Sequence, residues 1–227
     1  MNIYHKINTV YKRDMDSPRH PLIIGDWARP EFELLQFIEW TYTEKVDGAN
    51  IRVMYNCVTN PLLDTIIVPL EFRGKTDKAE MQKNLMFRLP EIFSIDNLRS
   101  VFDEATNVCL YGEGYGPKIQ KGGGDYRKDA GFILFDIKIG HWWLQRHDVE
   151  SIAKTLNIPV VPIVGKGTLK QAIDMCVYGY TSWLRSTPPE GLVLKPSVEL
   201  FNRKGERIIT KLKLKDFADD TRGESGD

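Results

Sequence analysis

Residues 43–53 read "TEKVDGANIRV", which sets Lys45 two places before the Asp47–Gly48 pair. Asp-Gly is a common turn dipeptide because glycine reaches positive φ cheaply. Taken alone, the stretch reads as a hairpin turn with a charged residue in front of it. A turn dipeptide is a weak signal, so whether Lys45 is a solvated turn lysine or a chemical one depends on what else the chain carries.

The chain has 227 residues, 42% hydrophobic and 11% aromatic. That is enough to bury a real core, and a single domain over residues 1–227 is expected. Thirty-one Lys and Arg balance 31 Asp and Glu, so bulk charge makes no case for nucleic acid, although a local patch can bind it. Cys57, Cys109 and Cys176 are odd in number and scattered among apolar residues. They read as buried thiols in a reducing, intracellular setting, not as a zinc site or disulfide framework. The opening "MNIYHKINTVYKRDMD" lacks the apolar core of a signal peptide, and no apolar run is long enough for a membrane span. A soluble protein with no membrane partner is expected.

"RPEFELLQFIEW" suits a short amphipathic helix opened near Pro30. "NIRVMYNCV" and "LLDTIIVPLEF" are β-branched and aromatic and read as strands. "IDNLRSVFDEA" reads as a helix, "NVCLYGEGYG" as a strand ending in a glycine-rich turn, and "GFILFDIKIGHWWLQRHDV" as a hairpin around Gly140. "DVESIAKTLN" reads as a helix capped by Asp148 and "TLKQAIDMCVYG" as another closed near Gly179. "EGLVLKP" and "RIITKLKL" are late strands, and the closing "DFADDTRGESGD" reads as a helix remnant or frayed tail. The fold class is α+β, with mostly antiparallel sheet and flanking helices.

Three carboxylates stand in or beside strands. Glu113 lies between glycines in "YGEGYG", Asp136 in the apolar run "FILFDI", and Glu190 just before the strand "GLVLKP". Each alone is more simply a turn or edge carboxylate. Asp136 is the exception, since a carboxylate in such a run either faces solvent or needs a buried partner. Alternation puts Ile133, Phe135 and Ile137 on one face and Leu134 and Asp136 on the other. Lys195 ends "EGLVLK", and "KLKLK" places Lys211, Lys213 and Lys215 at period 2, on one face of a strand. Lysines guarding a sheet edge have this pattern, but three like charges on one face also suit an anion such as a triphosphate.

Together these pieces support a chemical reading. A lysine amine is a poor nucleophile at neutral pH, and neighbouring cations, burial or a divalent metal activate it. Lys45 would attack the α-phosphate of a nucleoside triphosphate, Glu113 and Glu190 would hold Mg²⁺, and Lys211 and Lys213 would offset charge on the phosphates. Phe135 would stack on the base.

In order, "EKVDGAN", "FRGKTD", "LYGEGYGPKIQKGGGDY", "FILFDI", "EGLVLKP" and "KLKLKDF" resemble the covalent nucleotidyltransferases, the superfamily of polynucleotide ligases and mRNA capping enzymes. The branch they most resemble is the RNA ligase 2 family, phage-type ATP-dependent enzymes that seal nicked duplex RNA. Two features favour it: Asn50 stands where DNA ligases and capping enzymes carry Arg, and "YGPKIQKGGGDY" is similar to that branch's stretch after the first metal-site Glu. The resemblance covers about residues 40–220.

It implies an adenylation domain of ATP-grasp-like ligase fold, with ATP and Mg²⁺ or Mn²⁺ as cofactors. Lys45 is the implied adenylylated nucleophile, and Glu44 reads the adenine amino edge. Asn50 and Arg73 contact the nucleotide or the 5′-phosphate end. Glu113 binds ribose or metal, Phe135 stacks on adenine, and Asp136 supports the site. Glu190 ligates metal, while Lys195, Lys211 and Lys213 contact phosphates. Lys211 and Lys213 are preferred to Lys213 and Lys215 because Phe217 then completes the family's K-x-K-x-x-x-F spacing. The family usually has a further C-terminal domain after the last lysine motif, and none is expected here. That puts unaided sealing in doubt and leaves room for an accessory protein. The visible basic surface is local: Lys118, Lys121, Arg127 and Lys128, then Arg203, Lys204 and Arg207.

The expected activity is ATP-dependent joining of RNA ends at nicks in duplex RNA, by a cytoplasmic monomer (in the host cytoplasm if viral). Alternatives are a DNA-nick ligase, a GTP-using capping-type enzyme, and a non-catalytic RNA-end-binding module. Labelled ATP against GTP separates the enzymes, and an intact Lys45 with Glu113 and Glu190 speaks against the binding module.

Overall fold

Lys45 ends a strand of one sheet and Ala49 begins a strand of another. The Asp-Gly pair therefore carries the chain from sheet to sheet, and the hairpin that the dipeptide suggests by itself does not form. The computed structural model describes residues 3–60, 65–67, 69–103, 105 and 107–218. Two compact units divide the chain: Met1–Tyr4 with Asp47–Val161, and His5–Val46 with Pro162–Asp227.

The second unit opens with β1 (Asn8–Thr9), β2 (Tyr11–Arg13), β3 (Leu22–Trp27), α1 (Pro30–Leu34) and β4 (Trp40–Lys45). The first unit follows with β5 (Ala49–Tyr55), β6 (Val58–Asn60), β7 (Thr65–Ile67), β8 (Leu70–Arg73), α2 (Lys83–Ile92) and α3 (Ile95–Phe102). It continues with β9 (Val108–Tyr115), β10 (Gly131–Ile139), β11 (Trp142–Trp143) and α4 (Arg146–Thr155). The chain returns to the second unit with β12 (Ile163–Gly167), α5 (Leu169–Tyr178), β13 (Gly191–Pro196) and β14 (Thr210–Lys213). This is the α+β, mostly antiparallel fold expected. Part of "LLDTIIVPLEF" and residues 219–227 of the tail lie outside the described residues. No helix among the described residues is long and apolar enough to cross a membrane.

The first unit's sheet has the order β11-β10-β9-β5-β8, antiparallel throughout. Ile51, Val53 and Tyr55 of β5, Leu110 of β9 and Phe132, Leu134 and Ile137 of β10 form its apolar face. Leu85 and Leu89 of α2, Leu98 and Phe102 of α3, and Val149 and Ala153 of α4 cover that face. Their spacing of four residues puts each pair on one helical stripe. A reciprocal cap between Ser94 and Asn97 starts α3. Helix α4 starts after Gln145, so Asp148 lies in the first turn and is not the cap. A carboxylate there still favours the helix dipole.

Simple alternation fails in β10. Leu134 pairs with Gly112 but Asp136 pairs with Tyr111, leaving Phe135 as the extra residue of a β-bulge. Beyond the bulge the faces exchange. Leu134 and Ile137 share the core, and Asp136 joins the face of Tyr111 and Glu113, which is also that of Ile133. The expected grouping of Ile133 with Ile137 and of Leu134 with Asp136 is thus corrected.

The second unit's sheet has the order β1-β14-β13-β4-β12, with β1 parallel to β14 and the other pairs antiparallel. Trp40, Tyr42, Leu192, Leu194 and Leu212 form its apolar face and pack with Phe32 of α1 and Leu169, Ala172 and Cys176 of α5. Pro30 opens α1. Thr168 and Gln171 cap α5 reciprocally, and that helix ends at Gly179. All three cysteines are buried and unpaired. Burial pushes the Cys109 thiol up to about 11 and the Cys176 thiol up to about 12, as inert core thiols require.

Candidate active site

Directly opposed residues of an antiparallel pair share a face, and that rule locates four lysines. Gly191 lies opposite both Lys45 and Lys213. Val193 lies opposite Thr43 and Lys211, and Lys195 lies opposite Thr41. Lys45, Lys195, Lys211 and Lys213 therefore share the sheet face away from Trp40, Tyr42 and Leu192. Strand β14 ends at Lys213, and Lys215 falls in the 3₁₀ turn Leu214–Asp216. The expected three-lysine stripe is therefore two lysines long, with Lys215 off it. Phe217 is buried in the core of the same unit, which anchors the strand's exit.

Glu190 precedes β13 and sits between two of these lysines. One carboxylate oxygen is 2.5 Å from Lys45 Nζ and the other 3.0 Å from Lys213 Nζ. Burial alone would raise the acid's pKa, but attraction to Lys45 and Lys213, with their hydrogen bonds, outweighs it and holds Glu190 below the usual carboxylate range. Gly191 makes this convergence possible: a Cβ there would lie 2.0 Å from the Leu212 carbonyl oxygen. The Tyr180 hydroxyl pins the same residue by donating to its carbonyl at 2.6 Å.

Glu44 points to the other side of β4 and is buried. Ser182 donates its hydroxyl to one carboxylate oxygen, and the Trp183 backbone N–H donates to the other at 2.8 Å. Ser182 and Trp183 are 138 and 139 residues away in sequence, and no local pattern announces them.

In the first unit, Asn50 lies opposite Glu113 across β5 and β9. The Asn50 side-chain oxygen is buried without a hydrogen-bond partner, as would suit a ligand donor or a hard cation. Gly48 packs tightly here: a Cβ on it would lie 2.3 Å from the Gly114 carbonyl oxygen and 2.7 Å from Glu113 Cγ. Gly48→Ala is expected to destabilise the chain by about 1–3 kcal/mol, the usual cost of overpacking. A thermal melt unchanged from wild type would contradict this.

Asp136 is buried and accepts a 2.5 Å hydrogen bond from the Tyr4 hydroxyl. Phe135 is half-buried and meets the Tyr4 ring edge-on at 5.2 Å. Tyr4 is a partner that sequence reasoning missed. Arg73 is exposed and forks onto Glu71 at 2.8 and 3.1 Å. Its cross-strand neighbour Arg52, also missed, is fully buried on the Gly74 carbonyl and Asp77.

Of the basic surface read from sequence, Arg207 is not surface at all: it is buried and paired with Glu199 through two 2.6 Å contacts. No group of three or more His, Cys, Asp or Glu side chains is gathered for a metal among the described residues. Single carboxylates such as Glu113 and Glu190 still fit a cation that takes its other ligands from phosphate and water, the usual habit of Mg²⁺.

A family model described as RNA ligase matches residues 38–213. No curated protein matches the chain. Among solved structures, Naegleria gruberi RNA ligase with pyrophosphate is 23% identical at a TM-score of 0.58, over 85% of this chain and 54% of that one. A variant of the same ligase with ATP and Mn is 20% identical at a TM-score of 0.59, over 97% and 62%. Another variant with ATP and Mn is 24% identical at 0.56, over 81% and 52%. The chain spans little more than half the length of these ligases, and the likeness establishes the nucleotidyltransferase fold. With the family match extending from before β4 to the end of β14, the chain belongs to the RNA ligase family.

Proposed function

We propose that residues 1–227 act as one nucleotidyltransferase domain of an ATP-dependent RNA ligase that uses Lys45 as its nucleophile. The observation that carries this reading is the end of the second unit's sheet, where Lys45 and Lys213 meet on Glu190 beside Lys211. Lysines on one face with a single carboxylate between them make a site for a polyanion.

In the first step Lys45 Nζ attacks the α-phosphorus of ATP. A P–N bond forms, the α–β P–O bond breaks, and pyrophosphate leaves. The amine's proton passes to solvent, because Glu190, held below the usual carboxylate range, orients the amine without retaining a proton. Lys211, Lys213 and Lys195 offset phosphate charge. AMP then passes to an RNA 5′-phosphate, and a 3′-OH displaces it, at nicks in duplex RNA. Glu113 and Glu190 are the carboxylates proposed to hold a divalent cation, which would screen phosphate charge when bound. Asn50, Arg73, Glu44, Phe135 and Asp136 are proposed to hold the nucleotide or the 5′-phosphate end.

The test is incubation with α-labelled ATP and Mg²⁺ or Mn²⁺, followed by a denaturing gel. A labelled band that is lost in acid and kept in alkali, as a phosphoramide is, and that GTP does not give, is the expected result. No band with either metal would end the reading.

A further inference from the structure

A concavity lies in the first unit, where α2 meets the turn after β9. It has a volume of about 430 Å³ and is lined by Asn84, Phe87, Arg88 and Glu91 of α2, by Pro117 and Lys118, and by Lys128, Asp129 and Ala130. The Asn84 side chain donates to the Pro117 carbonyl at 2.8 Å and holds the turn against the helix. Charges in the wall are unequally matched. Arg88 pairs with Glu91 at 2.5 Å and reaches Asp129 at 3.8 Å, and Asp129 is also paired with Arg127 at 2.8 Å. No ion pair among the described residues engages Lys118 or Lys128.

Three further features point to a ligand. Lys118 sits at φ +63°, a left-handed conformation that is costly for an L-residue and that recurs at binding sites. Arg88 Nε is buried with no hydrogen-bond partner. Phe87, beside it, is 76% exposed, which leaves most of its ring open to a stacking partner.

Two unpaired ammonium groups, a buried unsatisfied guanidinium N–H and an exposed aromatic ring are the parts that hold one nucleotide of a strand. The ammonium groups neutralise phosphate and the ring stacks on a base. We infer that this cavity binds one nucleotide of the RNA strand, with a backbone phosphate between Lys118 and Lys128 and a base over Phe87. The inference rests on the RNA ligase reading for its ligand, but it concerns a site that shares no residue with the lysine face.

The test is anisotropy of a labelled single-stranded RNA decamer, without ATP, across a salt series. Lys118→Gln with Lys128→Gln should weaken binding about tenfold at low salt and reduce the slope of log affinity against log salt by about 0.7, one phosphate's share for a single strand. Phe87→Ala should weaken binding about tenfold with the slope unchanged, and Phe87→Trp should restore it. Wild-type affinity and slope in the lysine double variant would overturn the inference, as would unchanged binding by Phe87→Ala. Labelling of the wild-type chain by ATP is scored separately. A chain that takes no label yet binds RNA through these residues sinks the ligase reading and keeps the site, and the converse result does the opposite.

Discussion

Lys45→Ala is expected to lower transfer of label from ATP to the protein to background. Lys45 contributes the attacking nitrogen, and no other lysine on that face follows the Glu-Lys-x-Asp-Gly pattern or ends β4. Lys45→Arg separates charge from chemistry, because a guanidinium can keep the contact with Glu190 but stays protonated and does not attack. Both variants should be inert and both should fold, since Glu190 retains Lys213 at 3.0 Å. A labelled band of wild-type strength in either would remove Lys45 from the mechanism.

Glu190→Gln is expected to slow label transfer by about 10²-fold, the scale on which one preorganised charged group contributes to a step. The amide keeps the shape but loses the charge that places Lys45 and Lys213. Glu113→Ala is expected to cost a similar factor in a chemical step. Rates within threefold of wild type for both would leave the carboxylates without a chemical role. Glu190 also predicts a pH signature. Its folded-state pKa is held below the ordinary glutamate value, so its stabilising contribution is present above that ordinary value and lost as the pH falls through the lower folded one. The stability difference between wild type and Glu190→Gln should therefore narrow on acidification from pH 6 towards pH 3. A gap that widens instead would contradict the assigned ion pairs.

Much of this was legible in sequence because it is local. Period-2 alternation identifies β14 and the run "EGLVLKP" gives β13, so Lys195, Lys211 and Lys213 are assigned to strands from their neighbours alone, whereas β4 is not among the strands read from sequence and Lys45 reads only as standing before a turn. Capping residues give α5, and Pro30 gives the start of α1. What was not legible is long-range or geometric. Helix α2 carries Pro90 near its end, a residue that reads as a breaker but is tolerated where Leu85 and Leu89 bury a stripe. The hydrogen bonds from Ser182 to Glu44 and from Tyr4 to Asp136 join residues more than 100 positions apart, and serine or tyrosine alone has no signature for such a role. The Asp-Gly pair misleads for the same reason: a dipeptide fixes a turn but not which strand comes next.

The bulge at Phe135 acts as a frame shift in three dimensions. Upstream and downstream of it β10 is read in opposite phase along the sequence, while in space both faces of the strand continue unbroken. Deleting Phe135 would leave Leu134 opposite Gly112 and Asp136 opposite Tyr111, so Asp136 keeps its face and Ile137 stays in the apolar layer. Loss of this one residue is then expected to remove the Phe135 ring and the local twist while sparing both faces of the strand.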